Sequence, residues 1–218
     1  MANLYGPRIV TGDMLIYLDA GNKKSYPGSG TTWYDLSGNN RNFTLVGNLT
    51  HGGFYFDGFG ANTEYVTGSG YSHRTNNFTY SFWMMWDAAA DYDTLVENGV
   101  WADTFLLRFQ NSTGIAVYAE GIYYQSLDFV PSVSTWHNIV FRRSGTTMDL
   151  FVDNTYKDSV TFNADHNLAQ TIMHLMKSTH SVSNNTNGKL STFQIYTRDL
   201  SNSEITQNYN ALKGRFGL

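Results

Sequence analysis

The sequence lacks cysteine altogether, has only three prolines and carries little charge. Without cysteine, neither disulfides nor thiolate metal sites can form, so the core and the strand ladders must hold the fold. Charged residues make up 15% of the chain and the net charge is −4, so there is no basic stripe of the kind that nucleic-acid binding needs. No segment approaches about 18 consecutive apolar residues, and residues 1–10 do not resemble a signal peptide. We therefore expect a soluble chain with neither nucleic-acid nor membrane partners.

Aromatic residues are abundant instead: 15 Tyr, 14 Phe and 5 Trp make up 16% of the chain. These side chains bury large areas, and Tyr and Trp also suit wet recognition surfaces because they combine an apolar body with a polar tip. The length of 218 residues fits one large β domain, and no stretch has the composition of a linker. We predict a single domain over residues 1–218.

The apolar pattern is that of β-strands. Strand-length runs alternate with clusters of Gly, Asn, Asp and Ser, which is typical of a many-stranded antiparallel sandwich. In the run 78–86 the even-numbered residues form a fully apolar face and the odd-numbered residues a mixed face. A hairpin is predicted at 136–153, and further strands at 14–18, 54–56, 104–109, 115–119, 172–176 and 190–196.

The predicted hairpin assigns faces to its second strand. Alternation turns Met148, Leu150 and Val152 toward the core. The same pattern turns Asp149 and Asp153 toward water.

One helix is predicted, at 201–213. Ser201 and Glu204 stand in the Ser-x-x-Glu arrangement of a capping box, in which each side chain satisfies a backbone N–H of the first turn. Gly214 is placed to end the helix. Three apolar residues repeat at helical spacing and would pack on the sandwich: Ile205, Tyr209 and Leu212.

Several ordered blocks carry a family likeness. They are Leu-Asp-Ala-Gly-Asn at 18–22, Thr-Trp-Tyr-Asp-Leu-Ser-Gly-Asn-Asn at 32–40, Phe-Tyr-Phe-Asp-Gly at 54–58, Phe-Thr-Tyr-Ser-Phe-Trp-Met at 78–84, the hairpin blocks at 136–141 and 150–154, and the final block at 188–201. Together they resemble the concanavalin A-like lectin/glucanase superfamily in its laminin-G-like branch. The resemblance implies an all-β fold, a two-sheet antiparallel jelly-roll sandwich with one short C-terminal helix.

Leu-Asp-Ala-Gly-Asn at 18–22 and Trp-Tyr-Asp-Leu-Ser-Gly-Asn at 33–39 resemble the copies common in structural proteins of tailed-phage virions. That resemblance implies a virion surface protein, as a head decoration, tail or fibre component, with other virion proteins and host-surface carbohydrate as partners. A homo-oligomer is left open, and a secreted or cell-surface carbohydrate-binding module is the alternative. The segment 1–11 is interpreted as an extended docking arm, with ordinary strand pairing as the alternative.

Catalytic motifs are absent from the sequence. A glycosidase needs two suitably spaced carboxylates, and glucanases of the superfamily carry them in patterns such as Glu-x-Asp-x-x-Glu. None of the four glutamates, Glu64, Glu97, Glu120 and Glu204, begins such a pattern. There is no Gly-x-Ser-x-Gly elbow, and no histidine stands in a His-x-x-x-His motif. We expect no enzyme, and we interpret His137 as a packing or hydrogen-bonded residue.

Calcium is the cofactor that the resemblance suggests, because many sandwiches of the superfamily bind it with Asp and Asn oxygens. Asp57 looks most like a family ligand, with Asn62 nearby. The alternative interpretation is a turn, since Asp-Gly is also a strong turn signal.

Two aromatic clusters are predicted to bind a glycan or a protein partner. A sugar site combines an aromatic surface with a few placed polar groups. Asn98, Trp101 and Asp103 are expected in one loop, and Tyr123 with Tyr124 in the loop after Gly121. Either cluster could instead contact a neighbouring subunit, because Tyr and Trp are enriched at protein interfaces as well.

Overall fold

The structure is a computed structural model that describes residues 7–61, 63–72, 77–88, 92–100, 103–110, 114–119, 122–161, 171–179 and 185–218. At positions 100, 103, 104, 119 and 122–126 only the backbone is considered. The predicted all-β sandwich is confirmed, because the described residues form two antiparallel sheets of eight strands each. None of the helices in these ranges has the length and apolar character needed to span a membrane.

Sixteen strands are present in the described residues. In chain order they are β1 (Met14–Asp19), β2 (Thr32–Trp33), β3 (Phe43–Val46), β4 (Thr50–His51), β5 (Phe56–Asp57), β6 (Tyr65–Gly68), β7 (Phe78–Ala88), β8 (Thr94–Val100), β9 (Asp103–Gln110), β10 (Gly114–Ala119), β11 (Ile122–Leu127), β12 (Trp136–Ser144), β13 (Thr147–Val152), β14 (Thr155–Thr161), β15 (Met173–Leu175) and β16 (Asn187–Tyr196). Sheet A has the order β14-β13-β12-β7-β16-β5-β4, and β1 also pairs with β16. Sheet B has the order β11-β10-β9-β8-β15-β6-β3-β2.

The core lies between the two sheets, and β7 supplies its central row. The predicted alternation is confirmed, since the five even-numbered residues of β7 that face the core are at most 2% exposed: Phe78, Tyr80, Phe82, Met84 and Trp86. Their rings meet aromatic residues of sheet B, as in the edge contact of Phe78 with Phe105 at 5.4 Å between ring centroids. Burying each such side chain contributes roughly 1.5–3 kcal/mol.

The predicted hairpin is confirmed as β12 and β13, and the residues predicted to face inward, Met148, Leu150 and Val152, lie in the core. The prediction that Asp149 faces water is wrong. Its side chain is only 14% exposed because Arg142, its partner on β12, holds the carboxylate at 2.7 Å.

The C-terminal helix α1 (Asn202–Leu212) begins as predicted. Ser201 Oγ accepts the Glu204 N–H, and a Glu204 carboxylate oxygen accepts the Ser201 N–H at 2.9 Å, which completes the capping box. The prediction that Gly214 ends the helix is wrong. The chain continues as a 3-10 helix, η1 (Lys213–Phe216), and turns at Gly217, whose φ of 77° lies in the left-handed region that favours glycine.

The predicted docking arm is described from residue 7 onward. There the chain lies against its own helix: the Val10 N–H donates to Asn208 at 2.8 Å, and Gln207 donates to the Arg8 carbonyl at 2.6 Å. Residues 1–6 lie outside the described residues, so the docking role stays a prediction.

Candidate functional site

The predicted glycan clusters fall on strands rather than in loops. Asp103 begins β9, and Tyr123 and Tyr124 belong to β11, where Tyr123 is the partner of Tyr118 on β10. Trp101 lies outside the described residues. The loop placement is therefore wrong for the three described positions, and their binding role stays a prediction.

Asn98 is also on a strand, β8, and its side chain is fully buried. Its amide oxygen accepts the Tyr71 N–H at 3.0 Å, and its amide nitrogen donates to the Tyr71 carbonyl at 2.7 Å. A buried amide engaged at both ends with one backbone unit satisfies polar groups that burial would otherwise leave unpaired. Asn98 therefore holds the segment around Tyr71 in place, and the prediction that it lies in a loop is wrong.

Asp57, the predicted calcium ligand, faces a lysine. Its carboxylate lies 3.6 Å from Lys189 Nζ, and Asp87 approaches the same ammonium to 2.7 Å. Burial opposes the charged form of Lys189, but the hydrogen bond and charge of Asp87, together with the charge of Asp57, outweigh it and raise the pKa of the lysine. Asn62 lies outside the described residues. Within the described ranges no group of three or more His, Cys, Asp or Glu side chains is arranged to hold a metal; calcium binding stays a prediction.

Four half-buried rings form what we call the aromatic platform: Phe54, Tyr55, Trp136 and Phe216. Trp136 is at its centre, with ring centroids at 5.8 Å from Phe54, 5.6 Å from Tyr55 and 5.0 Å from Phe216. The four residues come from the turn before β5, the start of β12 and the end of η1. Sequence reasoning missed this cluster because its members are far apart along the chain.

Strand register places the platform next to the Lys189 cluster. Trp136 on β12 is the partner of Met85 on β7, and Met85 is the partner of Lys189 on β16, so the three residues form one row across sheet A. The row lies on the outer face, because the neighbouring residue Met84 faces the core. Tyr55 is close enough to Lys189 to affect its pKa. Aromatic rings, two carboxylates and an ammonium therefore share one patch of the surface.

The outer face of sheet A is buried two residues further along β7. Trp83, on the same face as Met85, is only 1% exposed. Phe216 of η1 stacks on its ring at 4.0 Å, and Tyr209 of α1 stacks at 5.6 Å. The C-terminal helices therefore cover this end of sheet A, and the aromatic platform begins where that cover ends.

A pocket of about 230 Å³ lies beside the platform, lined by Ala20, Gly21, Lys23, Tyr26, Pro27, Gly28, His51 and Gly53. The Tyr26 ring is held by edge contacts with His51 at 4.8 Å and with Phe56 at 4.9 Å. A Cβ atom at Gly21 would lie 3.0 Å from Phe54 Cβ, which shows how closely this wall approaches the platform.

His137 makes contacts that its sequence neighbourhood did not indicate. Its Nδ1 lies 2.7 Å from an Asp153 carboxylate oxygen, and its Nε2 lies 2.9 Å from Ser132 Oγ. The interpretation of His137 as a hydrogen-bonded residue is confirmed. Asp153 is partly exposed, with 30% of its side chain accessible, and its other carboxylate oxygen accepts the Asn138 N–H at 2.8 Å. These contacts tie the segment before β12 to the turn after β13.

A second histidine, His174, lies on the outer face of sheet B between Thr67 and Glu97. The residue is buried, and no partner for its Nδ1 is found among the described residues. Burial, with a smaller contribution from the charge of Lys177, lowers the pKa of His174 to about 4. The imidazole is therefore neutral at physiological pH.

The two packed sheets and their partly open aromatic face define a lectin-like β-sandwich. The family model of the concanavalin A-like lectin/glucanases superfamily, in its laminin-G form, matches residues 59–206, so the chain belongs to this superfamily. No curated protein sequence matches the chain.

Solved structures share the fold at low sequence identity. The receptor binding domain of a botulinum neurotoxin C/D mosaic serotype is 15% identical, with a TM-score of 0.71 over 92% of this chain and 51% of its own. Botulinum neurotoxin type C, whose cell entry is described as dependent upon interaction with two ganglioside molecules, gives the same identity and TM-score over 93% and 52%. Trypanosoma rangeli sialidase in complex with sialic acid is 11% identical, with a TM-score of 0.70 over 97% and 36%. The chain thus spans about half of the toxin chains and about a third of the sialidase.

Proposed function

We propose that this chain is a non-catalytic glycan-binding module and that the aromatic platform, with the Lys189 cluster, is its binding site. The observation that carries the proposal is the shared patch of half-exposed rings and charged groups on the outer face of sheet A. A pyranose ring has an apolar face that can lie on an aromatic side chain, while its hydroxyls need placed acceptors and donors. Asp57, Asp87 and Lys189 would supply both kinds of polar group next to Trp136.

The solved structures with the same fold support a carbohydrate ligand by analogy. Cell entry of botulinum neurotoxin type C depends on gangliosides, and the sialidase structure holds sialic acid. Because sandwiches of one fold host several functions, this support is weaker than that of the site itself.

Non-catalytic behaviour is part of the proposal. Among the three described glutamates, Glu97 is buried and accepts the Thr179 N–H at 2.7 Å, and Glu204 caps α1. The third, Glu64, accepts the Thr63 hydroxyl at 2.7 Å. Each carboxylate is thus already engaged in a hydrogen bond rather than placed as a free member of a carboxylate pair. One set of contacts resembles a catalytic arrangement. Ser132, His137 and Asp153 form a chain of hydrogen bonds like that of a serine hydrolase triad. We assign them a structural role, because they fasten a loop to sheet A.

The catalytic part is tested with two substrates. We expect no release of reducing sugar from laminarin and no hydrolysis of p-nitrophenyl acetate above the buffer rate. Glucan hydrolysis abolished by Glu97→Gln, or ester hydrolysis abolished by Ser132→Ala, would contradict the assignment.

Binding is tested on a glycan array, followed by titration calorimetry with the best ligand. Trp136→Ala removes the central ring of the platform, and we expect affinity to fall about tenfold, which corresponds to about 1.4 kcal/mol. Tyr156→Ala is the matched control, since Tyr156 is 52% exposed on β14, at the opposite edge of sheet A from β5. Equal affinities for the two variants, or an array without any bound glycan, would refute the proposed site.

We also propose that the module works on a virion surface, as a head decoration, tail or fibre component. The support is the likeness of the blocks at 18–22 and 33–39 to virion proteins, and the open platform would suit host-surface carbohydrate. Mass spectrometry and antibody labelling of gradient-purified particles test the placement, and light scattering tests for a homo-oligomer. Detection only in particle-free medium would instead favour the extracellular module.

A further inference from the structure

We propose that the pocket beside the aromatic platform is a second subsite that takes a sugar carboxylate, so that the module prefers acidic to neutral glycans. This inference rests on the proposed glycan function and adds the class of ligand. At about 230 Å³ the pocket is smaller than a typical drug-sized site and suits a single monosaccharide unit.

Lys23 supplies the charge of the pocket. Its side chain is exposed at the lining, and none of the described carboxylates lies within ion-pair distance of its ammonium. Asp19, just before the lining residue Ala20, is buried and already engaged by Arg215, at 2.6 and 3.0 Å between guanidinium nitrogens and carboxylate oxygens. The positive charge of Lys23 is thus not cancelled locally, and an incoming carboxylate would form a charge-assisted hydrogen bond.

His51 and Tyr26 supply a polar and an apolar wall. His51 Nε2 lies 2.9 Å from the Ala20 carbonyl, and a carbonyl oxygen only accepts, so Nε2 carries the hydrogen. In the neutral ring Nδ1 is then an acceptor for a sugar hydroxyl. Tyr26 donates its own hydroxyl to the Gly30 carbonyl at 3.0 Å, which fixes the ring at the side of the pocket.

Two glycines keep the pocket open. Gly28 and Gly53 have φ values of 104° and 87°, which favour glycine, and a Cβ at either position would meet no atom within 4 Å. A side chain would therefore have room at both positions. It is the positive φ of the backbone, not packing, that favours glycine there. As a consequence, the rim has exposed backbone without side chains that could fill the cavity.

The pocket and the platform are adjacent. Gly53 of the pocket precedes Phe54 of the platform, and a Cβ at Gly21 would lie 2.9 Å from Arg215, the residue before Phe216. An oligosaccharide could place one ring on Trp136 and the next unit in the pocket. In this arrangement the platform would bind the neutral sugar unit, and the pocket would bind the acidic unit next to it.

The first experiment compares matched ligands by calorimetry: oligosaccharides that end in glucuronic acid or in N-acetylneuraminic acid, and their carboxyl-reduced neutral counterparts. We expect the acidic forms to bind about tenfold more tightly. Lys23→Met should abolish that preference without changing affinity for the neutral forms. Lys24→Met is the matched control, because Lys24 is an equally exposed neighbour that does not line the pocket.

The second experiment locates the carboxylate with sodium glucuronate alone. Amide resonances of Gly28 and Gly53 should shift on titration with glucuronate, and they should shift less with glucose or in Lys23→Met. Equal binding of acidic and neutral glycans that is lost in Trp136→Ala would overturn the subsite but leave the glycan function intact. If neither form binds, both proposals are wrong, and equal losses in Lys23→Met and Lys24→Met would also overturn the subsite.

Discussion

The two ends of the outer face of sheet A are built from the same strands but have different surroundings. At one end rings of α1 and η1 stack with Trp83, which is excluded from water. At the other end Trp136, Met85 and Lys189 remain partly open. Alternation along a strand decides only which residues point outward. The position of the C-terminal helices decides which outward residues become core and which stay partly open to solvent.

The covering helices are fastened from both sides. Arg198, after β16, holds the Glu204 carboxylate with two hydrogen bonds of 2.8 and 2.6 Å. Asn208 accepts the Val10 N–H and donates to the Tyr196 hydroxyl at 2.9 Å, so α1 is tied to the N-terminal segment and to the sheet. These contacts fix the position of α1 on the outer face of sheet A, and with it the part of that face that α1 and η1 cover.

Removing one tryptophan at each end of the outer face of sheet A should have very different effects on stability. Trp83→Ala should lower the free energy of unfolding by about 3–5 kcal/mol, because it leaves a cavity beneath the helices. Trp136→Ala should cost less than about 1.5 kcal/mol, since its ring is already partly hydrated. Chemical denaturation measures both values, and similar losses for the two variants would break the distinction between the two ends.

The outer face of sheet B buries a side chain in a different way. There the His174 imidazole is buried although no α-helix of the described residues covers it. Its pKa falls from 6.5 to about 4, so the unfolded state binds a proton at a higher pH than the folded state. Stability should therefore be lost as the pH falls from 6.5 toward 4, by roughly 2–3 kcal/mol. Denaturation of His174→Gln at pH 7 and pH 4 should show a smaller loss than the parent. Lys177→Gln is the control and should keep most of the pH dependence; an unchanged pH profile in His174→Gln would contradict the assignment.

The cap of the covering helix should matter less than the ring that it covers. Ser201→Ala combined with Glu204→Ala should cost about 1–2 kcal/mol through loss of the capping box. The hydrogen bond from Arg198 opposes burial and lowers the pKa of Glu204 to about 2, from 4.5. The contribution of the carboxylate is thus present above pH 4.5 and is lost as the pH falls toward 2, which acid denaturation of parent and variant can measure. Unchanged melting would mean that the cap does not hold the helix on the face.

The smallest expected effect concerns calcium at the open end. Because Lys189 already lies between Asp57 and Asp87, we propose that calcium is at most a modest stabiliser. Chelator should shift the melting temperature of the parent by no more than about 2 °C, which is the low end of the 2–4 °C that about 1 kcal/mol produces in a domain of about 150–250 residues. A large shift that disappears in Asp57→Ala would show a calcium site at this position.

Local sequence features predicted the elements with a clear internal pattern and missed several strands that lack one. The eleven residues of β7 and the capping box of α1 carry their signals within one element, and both are confirmed. Strands of two residues, such as β2 and β4, are too short to show any alternation. β8 was missed because Asn98-Gly99 has the composition of a turn, although Gly99, with a φ of 113°, lies within the strand.

The sequence by itself determined the superfamily, the inward faces of the long strands and the start of the helix, since each depends on residues that are near one another in the chain. Only the tertiary structure decided the site. Lys189 meets Asp87 from 102 residues away, and His137 meets Asp153 across a hairpin. Trp83 and Trp136 look alike as outward-facing tryptophans of β-strands. They differ because rings of both α1 and η1 stack on Trp83, whereas Trp136 meets Phe216 of η1 and stays partly exposed. Strand register and helix docking set these contacts, and both result from packing of the whole chain rather than from local preference.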